Sequence, residues 1–152
     1  MARVLIVGCG CRGRALAREL RAAGHAVRGT TRDQANFGAI AEAGAEPYLG
    51  DPDRIATLME ALTGITILVW LLGGVPDADL HGGRLRMMFE KLVDTPVRGV
   101  VYEGTPGGGD IARMAAQTWN IPVEVLEDGD AAGAVSRLLG LDSTSDTFSK
   151  RV

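Results

Sequence analysis

The sequence predicts a three-layer α/β fold, in which a six-stranded, doubly wound parallel sheet of strand order 3-2-1-4-5-6 lies between two layers of helices. Short apolar, β-branched segments alternate with amphipathic segments along the chain of 152 residues, which is typical of β/α units. The strand-like segments are continuous apolar runs, as expected for strands covered on both faces. A glycine-rich turn directly after the first of them favours this strand order.

The predicted strands share short apolar runs that end near glycine or turn residues. They are residues 4–7, 25–31, 46–50, 65–72, 97–104 and 121–127. The fourth run, ITILVWLL, is the most apolar, so we expect it at the centre of the sheet. It is also the longest apolar stretch of the chain, and it is much shorter than the roughly 18 residues that a membrane span needs.

The predicted helices carry apolar residues at helical spacing, and most of them end at a glycine. They are residues 14–24, 35–44, 53–62, 80–93, 109–120 and 130–140. Asp53 is expected to cap the third helix. Residues 141–152 have the polar composition of a flexible tail, so residues 1–140 are expected to form a single domain.

The composition argues against several classes of function. With a net charge of −3, the chain lacks the broad basic surface that nucleic acids or anionic membranes require. No secretory signal fits the N-terminus, and Cys9 and Cys11 are too close together for a disulfide framework, which predicts a reduced, cytoplasmic setting. The C-x-C spacing and the two histidines do not fit a zinc site, so no metal site is predicted.

The stretch GCGCRGR, residues 8–14, joins the first predicted strand to the first predicted helix. Gly8, Gly10 and Gly13 fit the pattern G-x-G-x-x-G of the Rossmann fold. The first glycine allows a tight turn, the second lets the backbone approach a pyrophosphate, and the third allows the helix to pack closely on the strand. The N–H groups at the helix N-terminus then face the phosphates. The sequence therefore predicts a dinucleotide site, and the alternative is a glycine-rich turn without a ligand.

Two further residues of this loop are expected to line the cofactor. Arg12 adds positive charge near the phosphates, or it is a solvated surface arginine. Cys11, like Cys9, is interpreted as a small side chain tolerated in a crowded turn, and modest thiol reactivity at a helix N-terminus stays open.

The end of the second predicted strand is where a Rossmann fold distinguishes NAD(H) from NADP(H). Thr30, Thr31, Arg32 and Asp33 stand there. Two hydroxyl groups and a guanidinium suit a 2′-phosphate, so binding of NADP(H) is favoured over binding of NAD(H), with Thr31 and Arg32 as contacts. Asp33 is the alternative ribose-binding acid, but we interpret it as the cap of the following helix.

Two long segments, GCGCRGRALARELRAAGHAVRGTTRD and GAEPYLGDPDRIATLMEALTGITILVWLLGG, resemble the NmrA-like and atypical extended short-chain dehydrogenase/reductases. The resemblance covers residues 3–74 and extends more loosely through VRGVVYEGT. It implies an NAD(P)-binding Rossmann fold in which Asp51, after the third strand, lies near the adenine. It also implies that Leu72 and Gly73, at the end of the fourth strand, line the cofactor.

The chain departs from the catalytic pattern of that family, Tyr-x-x-x-Lys, in which the lysine lowers the pKa of a tyrosine that acts as general acid and base. Four positions after Tyr48 and Tyr102, the two tyrosines of the chain, stand Pro52 and Pro106. The chain also ends near the sixth strand, without the substrate-binding region of the extended enzymes. These departures favour a non-catalytic dinucleotide-binding module or redox sensor. The alternative is a small NADP(H)-dependent oxidoreductase or epimerase-like enzyme that uses non-standard catalytic groups or a partner chain.

Other residues with chemical potential lie near the predicted crevice. Glu103 is the best-placed carboxylate for acid/base work, although a capping or solvated role is favoured. His81 is interpreted as flanking a helix start, and Thr105 lies near the position of the family's catalytic serine or threonine. Residues 104–110, GTPGGGD, are predicted to be a flexible connection.

The segment MMFEKLV, residues 87–93, carries more apolar side chains than one helical stripe can hide. This predicts either the interface of a homodimer or a helix covered within the chain.

Overall fold

The computed structural model describes residues 2–52, 54–72, 82–104, 106–126 and 130–140, and the structural statements below refer to these residues. Its strands are β1 (Arg3–Val7), β2 (Ala26–Thr31), β3 (Glu46–Leu49), β4 (Ile67–Leu71), β5 (Gly99–Glu103) and β6 (Val123–Leu126). They form one sheet in the order β3-β2-β1-β4-β5-β6. Every pair of neighbouring strands is parallel, so the predicted strand order is confirmed.

The helices connect successive strands. They are α1 (Cys11–Ala22), α2 (Phe37–Glu42), α3 (Ala56–Met59), α4 (Gly83–Leu92), α5 (Pro106–Trp119) and, after β6, α6 (131–140). A short 3₁₀ turn, Gln34–Asn36, precedes α2. Helix α3 is shorter than predicted, because residues 60–64 form turns. Asp53 lies outside the described residues, and so do residues 73–81, Thr105 and residues 141–152.

Helix α5 corrects one prediction about the glycine cluster at residues 104–110. From residue 106 onward the cluster is helical rather than a flexible connection. A proline is tolerated in the first turn of a helix, where its missing N–H has no partner to lose. Gly109 is buried, and a Cβ there would lie 3.0 Å from Cγ1 of Val125 on β6. The glycine therefore allows α5 to approach the sheet closely.

The sheet is covered on both faces, as predicted from its apolar strands. Strand residues alternate between the two faces of the sheet. Those on one face pack against α1, α2 and α6, and those on the other face pack against α3, α4 and α5. All five residues of β4 are buried, in agreement with its central position. Trp70 of β4 is fully buried, whereas Trp119 at the end of α5 is 40% exposed.

Helix α4 hides most of the apolar segment that begins at Met87. Met88 and Phe89 are fully buried in the core, and Met87 is 39% exposed. Two of these three side chains are therefore covered within the chain, which was one of the two alternatives for this segment. The other alternative, a homodimer, stays a prediction. No helix in the described part of the chain combines the length and the apolar composition needed to cross a membrane.

The sheet topology creates a crevice at the carboxyl ends of the central strands β1 and β4. Strand β1 pairs with β2 on one side and with β4 on the other. The helix that follows β1 covers one face of the sheet, and the helix that leads into β4 covers the other. Connections that leave two neighbouring strands in opposite directions open a crevice at the carboxyl ends of those strands, where ligands of α/β proteins bind.

Candidate functional site

The turn after β1 requires glycine at its first position. Gly8 has a φ of +89°, in the left-handed region that residues with a side chain rarely adopt. A Cβ at this position would lie 2.7 Å from both the carbonyl oxygen of Leu71 and Cδ2 of Leu72. The backbone N–H of Gly8 donates to Oγ1 of Thr30 (3.4 Å), and the N–H of Cys9 donates to the Thr30 carbonyl oxygen (3.1 Å). The end of β2 therefore holds this turn in place.

Gly10 and Gly13 have different surroundings. A Cβ at Gly13 would lie 3.1 Å from the Gly8 carbonyl oxygen and 3.3 Å from Cγ2 of Ile6, so a glycine lets α1 pack closely on β1. A Cβ at Gly10 would meet no atom within 4 Å. Gly10 is the N-cap of α1, and the helix has neither a side-chain cap nor an acidic residue in its first turn. The first N–H groups of α1 therefore have no capping side chain and suit an anion.

The two cysteines of the loop have different environments. Cys9 is buried and packs against Gly29, where an added Cβ would lie 2.6 Å from the Cys9 sulfur. Burial raises the pKa of the Cys9 thiol to about 11, so this thiol is protonated at neutral pH. Cys9 is thus a packing residue, as predicted. Cys11 is exposed at the first position of α1, and Nη2 of Arg14 donates to its sulfur (3.3 Å).

A cavity of about 280 Å³ lies beside this turn, at the carboxyl ends of β1, β2, β3 and β4. It is lined by Gly8, Thr30, Thr31, Arg32, Gly50, Pro52 and Leu72. Four of these, Gly8, Thr31, Arg32 and Leu72, are predicted cofactor contacts, and they come from three separate segments of the chain. The fold therefore brings them together at one cavity.

Arg32, which lines this cavity, is paired with Asp51. Nε of Arg32 lies 3.3 Å from Oδ1 of Asp51, and the Arg32 side chain is 53% exposed. The residue predicted to read the 2′-phosphate and the residue predicted near the adenine are thus neighbours. Thr57 fixes the Asp51 backbone, because its hydroxyl group accepts from the Asp51 N–H (2.9 Å) and lies 3.1 Å from the Asp51 carbonyl oxygen.

The residues that follow β2 form a compact turn. Oδ1 of Asp33 accepts a hydrogen bond from the N–H of Ala35 (2.9 Å), so Asp33 caps the 3₁₀ turn and the capping interpretation is confirmed. Oγ1 of Thr31 accepts from the Asn36 amide (3.0 Å) and from the N–H of Asp33 (3.2 Å). The carboxylate that follows Arg32 in the sequence, that of Asp33, is therefore used within the turn itself.

On the opposite side of the turn, Arg12 is bonded to Glu103. Nη2 of Arg12 donates to Oε2 of Glu103, the last residue of β5. This hydrogen bond raises the pKa of the Arg12 guanidinium above its ordinary value. Glu103 is only 7% exposed, so the expectation of a capping or solvated role for it is wrong. Arg12 is paired with Glu103 although its side chain is 59% exposed, so its predicted contact with the phosphates stays a prediction. The other carboxylate oxygen of Glu103, Oε1, is buried and has no hydrogen-bond partner among the described residues.

Sequence reasoning had no signal for this pair, because its members are 91 positions apart. A second cavity, of about 240 Å³, borders Arg12 between α1 and the start of α6, and Leu71 of β4 also lines it. The crevice thus has open space on both sides of the glycine turn.

The remaining candidate residues are either outside the described part of the chain or engaged in other contacts. Gly73, His81 and Thr105 lie outside the described residues. Tyr102 is buried in the core between the sheet and α3, α4 and α5. Tyr48 donates its hydroxyl hydrogen to Glu60 (2.7 Å), which raises the pKa of Tyr48. Among the described residues, no group of three or more His, Cys, Asp or Glu side chains is arranged to hold a metal ion.

Residues 8–144 match the model of a protein family described as NAD(P)H-binding. The match begins at the first glycine of the turn after β1 and continues beyond α6, so it includes every site residue described above. It also agrees with the resemblance to the atypical short-chain dehydrogenase/reductases. No curated protein matches the chain in sequence.

Several solved structures share the fold. Triphenylmethane reductase from Citrobacter sp., in complex with NADP(H), is 20% identical with a TM-score of 0.65, and the match covers 81% of this chain and 48% of that one. UDP-glucuronic acid 4-epimerase from Bacillus cereus, in complex with NAD, is 13% identical with a TM-score of 0.66, covering 81% and 55%. An NADPH-dependent quinone oxidoreductase from Escherichia coli is 17% identical with a TM-score of 0.62, covering 82% and 46%. The chain thus spans about half the length of these three proteins.

Proposed function

The chain belongs to the NAD(P)H-binding family, and from this premise we propose that it is a dinucleotide-binding module that prefers NADP(H) to NAD(H). The observation that carries the preference is the position of Arg32, whose half-exposed guanidinium stands at the mouth of the cavity at the end of β2. A guanidinium binds a phosphate through charge-assisted, bidentate hydrogen bonds. The neighbouring carboxylate of Asp33, which would suit a ribose 2′-hydroxyl, caps the 3₁₀ turn instead.

The residues around the turn fit the other parts of a dinucleotide. Gly10 exposes its backbone where no side chain intervenes, and the uncapped N-terminus of α1 suits the pyrophosphate. Leu72 lines the cavity that would take the adenosine, and Asp51 is paired with Arg32, which lines it too. When bound, the nicotinamide ring supplies a hydride donor or acceptor and therefore a redox state that the protein can respond to.

A binding module or redox sensor is favoured over an enzyme by the positions of the two tyrosines. Tyr102 is buried in the core and Tyr48 is bonded to Glu60 at the edge strand, so neither is available beside the crevice. One observation favours the second candidate, a small oxidoreductase. The buried carboxylate of Glu103 stands at the end of β5, where an acid/base group would be needed.

A fluorescence titration followed by a turnover assay separates these two functions. We expect the protein to bind NADPH, with an increase in nicotinamide fluorescence, and to bind NADH more weakly. We expect no oxidation of bound NADPH, measured as absorbance at 340 nm, when a panel of aldehydes, ketones and quinones is added. Turnover with any member of the panel would contradict the binding-module proposal and support the oxidoreductase.

Cys11 provides an internal reporter of cofactor binding, because it is exposed at the start of α1. We expect NADPH at ten times its dissociation constant to slow alkylation of Cys11 by iodoacetamide about tenfold, since only about one site in eleven stays empty. The measurement is the mass of the labelled protein over time. The Cys11→Ser variant is the control, and it should label very slowly because the remaining thiol, Cys9, is buried with a pKa of about 11. Equal labelling rates with and without saturating NADPH would place the cofactor away from this loop.

A further inference from the structure

The ion pair between Arg12 and Glu103 leaves one oxygen of the carboxylate unsatisfied in the described part of the chain. Oε2 of Glu103 is bound by Arg12, while Oε1 is buried without a hydrogen-bond partner among the described residues. A buried carboxylate oxygen without a donor is costly, and native structures seldom leave one unless a ligand or water supplies the missing donor. Glu103 therefore has the capacity to bind a group that enters the crevice at the end of β5.

The topology indicates which group this is. Arg12 belongs to the first turn of α1, so one arginine side chain joins the phosphate-binding turn to Glu103. The cavity bordered by Arg32 lies on the other side of the same turn, over β2 and β3. A dinucleotide held at its pyrophosphate by this turn, with its adenosine in that cavity, must extend its nicotinamide end toward β4 and β5. Glu103 pairs with Leu71 of β4 at this edge.

We propose that the carboxylate of Glu103 contacts the nicotinamide end of the bound dinucleotide and makes the site favour the oxidised ring over the reduced ring. This inference rests on the proposed binding function. The oxidised ring carries a positive charge and the reduced ring is neutral, so only the oxidised ring is attracted by a carboxylate that is shielded from water. The carboxamide N–H groups are present in both forms, and a hydrogen bond from them to Oε1 does not distinguish the two.

Arg12 opposes this effect in part. Its guanidinium is 59% exposed and carries a positive charge next to the same carboxylate. It repels the cationic ring while it attracts the phosphates, and the phosphates are common to both redox forms. Glu103 and Arg12 therefore act in opposite directions on the ratio of the two affinities. In this way the pair sets how strongly the chain distinguishes NADP⁺ from NADPH.

The test is a ratio of two affinities, namely the dissociation constant for NADPH divided by the dissociation constant for NADP⁺. Both constants are measured by calorimetry at pH 8 for the full chain and two variants. The ratio cancels the contributions of the adenosine, the 2′-phosphate and the pyrophosphate. We expect Glu103→Gln to lower the ratio about tenfold and Arg12→Gln to raise it about threefold. A purely structural role for the pair would change both dissociation constants equally, and that result would overturn the proposal.

A second ligand and a third variant make the outcome specific. 2′,5′-ADP lacks the nicotinamide, so its affinity should be the same in Glu103→Gln as in the wild type. Glu124→Gln is the matched control, because Glu124 of β6 is also paired with an arginine, Arg137 (2.6 Å), and the ratio should not change. An unchanged ratio in Glu103→Gln, with 2′,5′-ADP bound normally, would overturn the role of Glu103 and leave the binding function standing. Failure of the wild type to bind 2′,5′-ADP would overturn the binding function and this inference with it.

The use of two variants keeps the test decisive if one of them has a folding defect. If Glu103→Gln does not fold, Arg12→Gln still tests the proposal, because Arg12 is on the surface of the turn and its replacement exposes no core. A ratio that falls or does not change in Arg12→Gln would contradict the proposal.

Discussion

Replacing Gly8 by alanine is expected to lower the free energy of unfolding by about 2–4 kcal/mol. An L-residue at the φ of +89° costs about 1–2 kcal/mol in a left-handed conformation. The new Cβ would also lie 2.7 Å from the carbonyl oxygen of Leu71, a backbone atom of β4 that cannot move without disturbing the centre of the sheet. Urea denaturation monitored by the fluorescence of the buried Trp70 measures this change.

Gly10→Ala is the matched control in the same turn. Gly10 has a φ of −84°, which alanine adopts, and a Cβ there meets no atom within 4 Å. We therefore expect its unfolding free energy to stay within about 0.5 kcal/mol of the wild type. Its NADPH affinity should nevertheless fall about tenfold or more, because the methyl group occupies the approach of the pyrophosphate. Equal stability of the two alanine variants would contradict the argument from Gly8.

Replacing Arg32 by aspartate is expected to have the largest effect on cofactor choice. The affinity for NADPH should fall by about 1–3 kcal/mol, or roughly five- to 150-fold, because a charge-assisted hydrogen bond to the 2′-phosphate is lost and a like charge takes its place. NADH has no 2′-phosphate, and its affinity should change much less. Fluorescence titrations with both cofactors measure the two effects.

Arg18→Asp makes the same change in net charge on the exposed face of α1 and is the control for Arg32→Asp. It should reduce NADPH affinity only slightly, because exposed charges at a distance are screened by salt. Equal losses of NADPH and NADH affinity in Arg32→Asp would show that Arg32 does not read the 2′-phosphate.

The parts of the structure that the sequence predicted well depend on local or periodic signals. The alternation of apolar runs and amphipathic segments, together with the glycine-rich first turn, predicted the strand order, because parallel strands joined by helices have few allowed topologies. The spacing of Gly8, Gly10 and Gly13 predicted the turn after β1, and Gly8 and Gly13 each meet a local steric requirement there. Asp33 was recognised as a cap for the same reason, because its partner is two residues away.

The features that escaped prediction depend on tertiary packing. The pairing of Arg12 with Glu103 joins the first turn of α1 to the end of β5, and no local pattern in either segment predicts this contact. The pairing of Arg32 with Asp51 likewise depends on β2 lying beside β3. Gly109 looked like a loop residue, because the side chain of Val125 that leaves little room for a Cβ there belongs to another element of the fold.

The two hydrogen bonds between Thr30 and the glycine turn have a consequence for the size of ligand that the site accepts. They tie the turn to β2, the strand whose end is followed by Arg32. The distance from the start of α1 to the Arg32 backbone is therefore determined by the pairing of β1 with β2 and not by the conformation of a free loop. A ligand that binds as proposed would have to span that fixed distance in order to contact both ends, so the frame formed by these two strands would select it by molecular length as well as by charge.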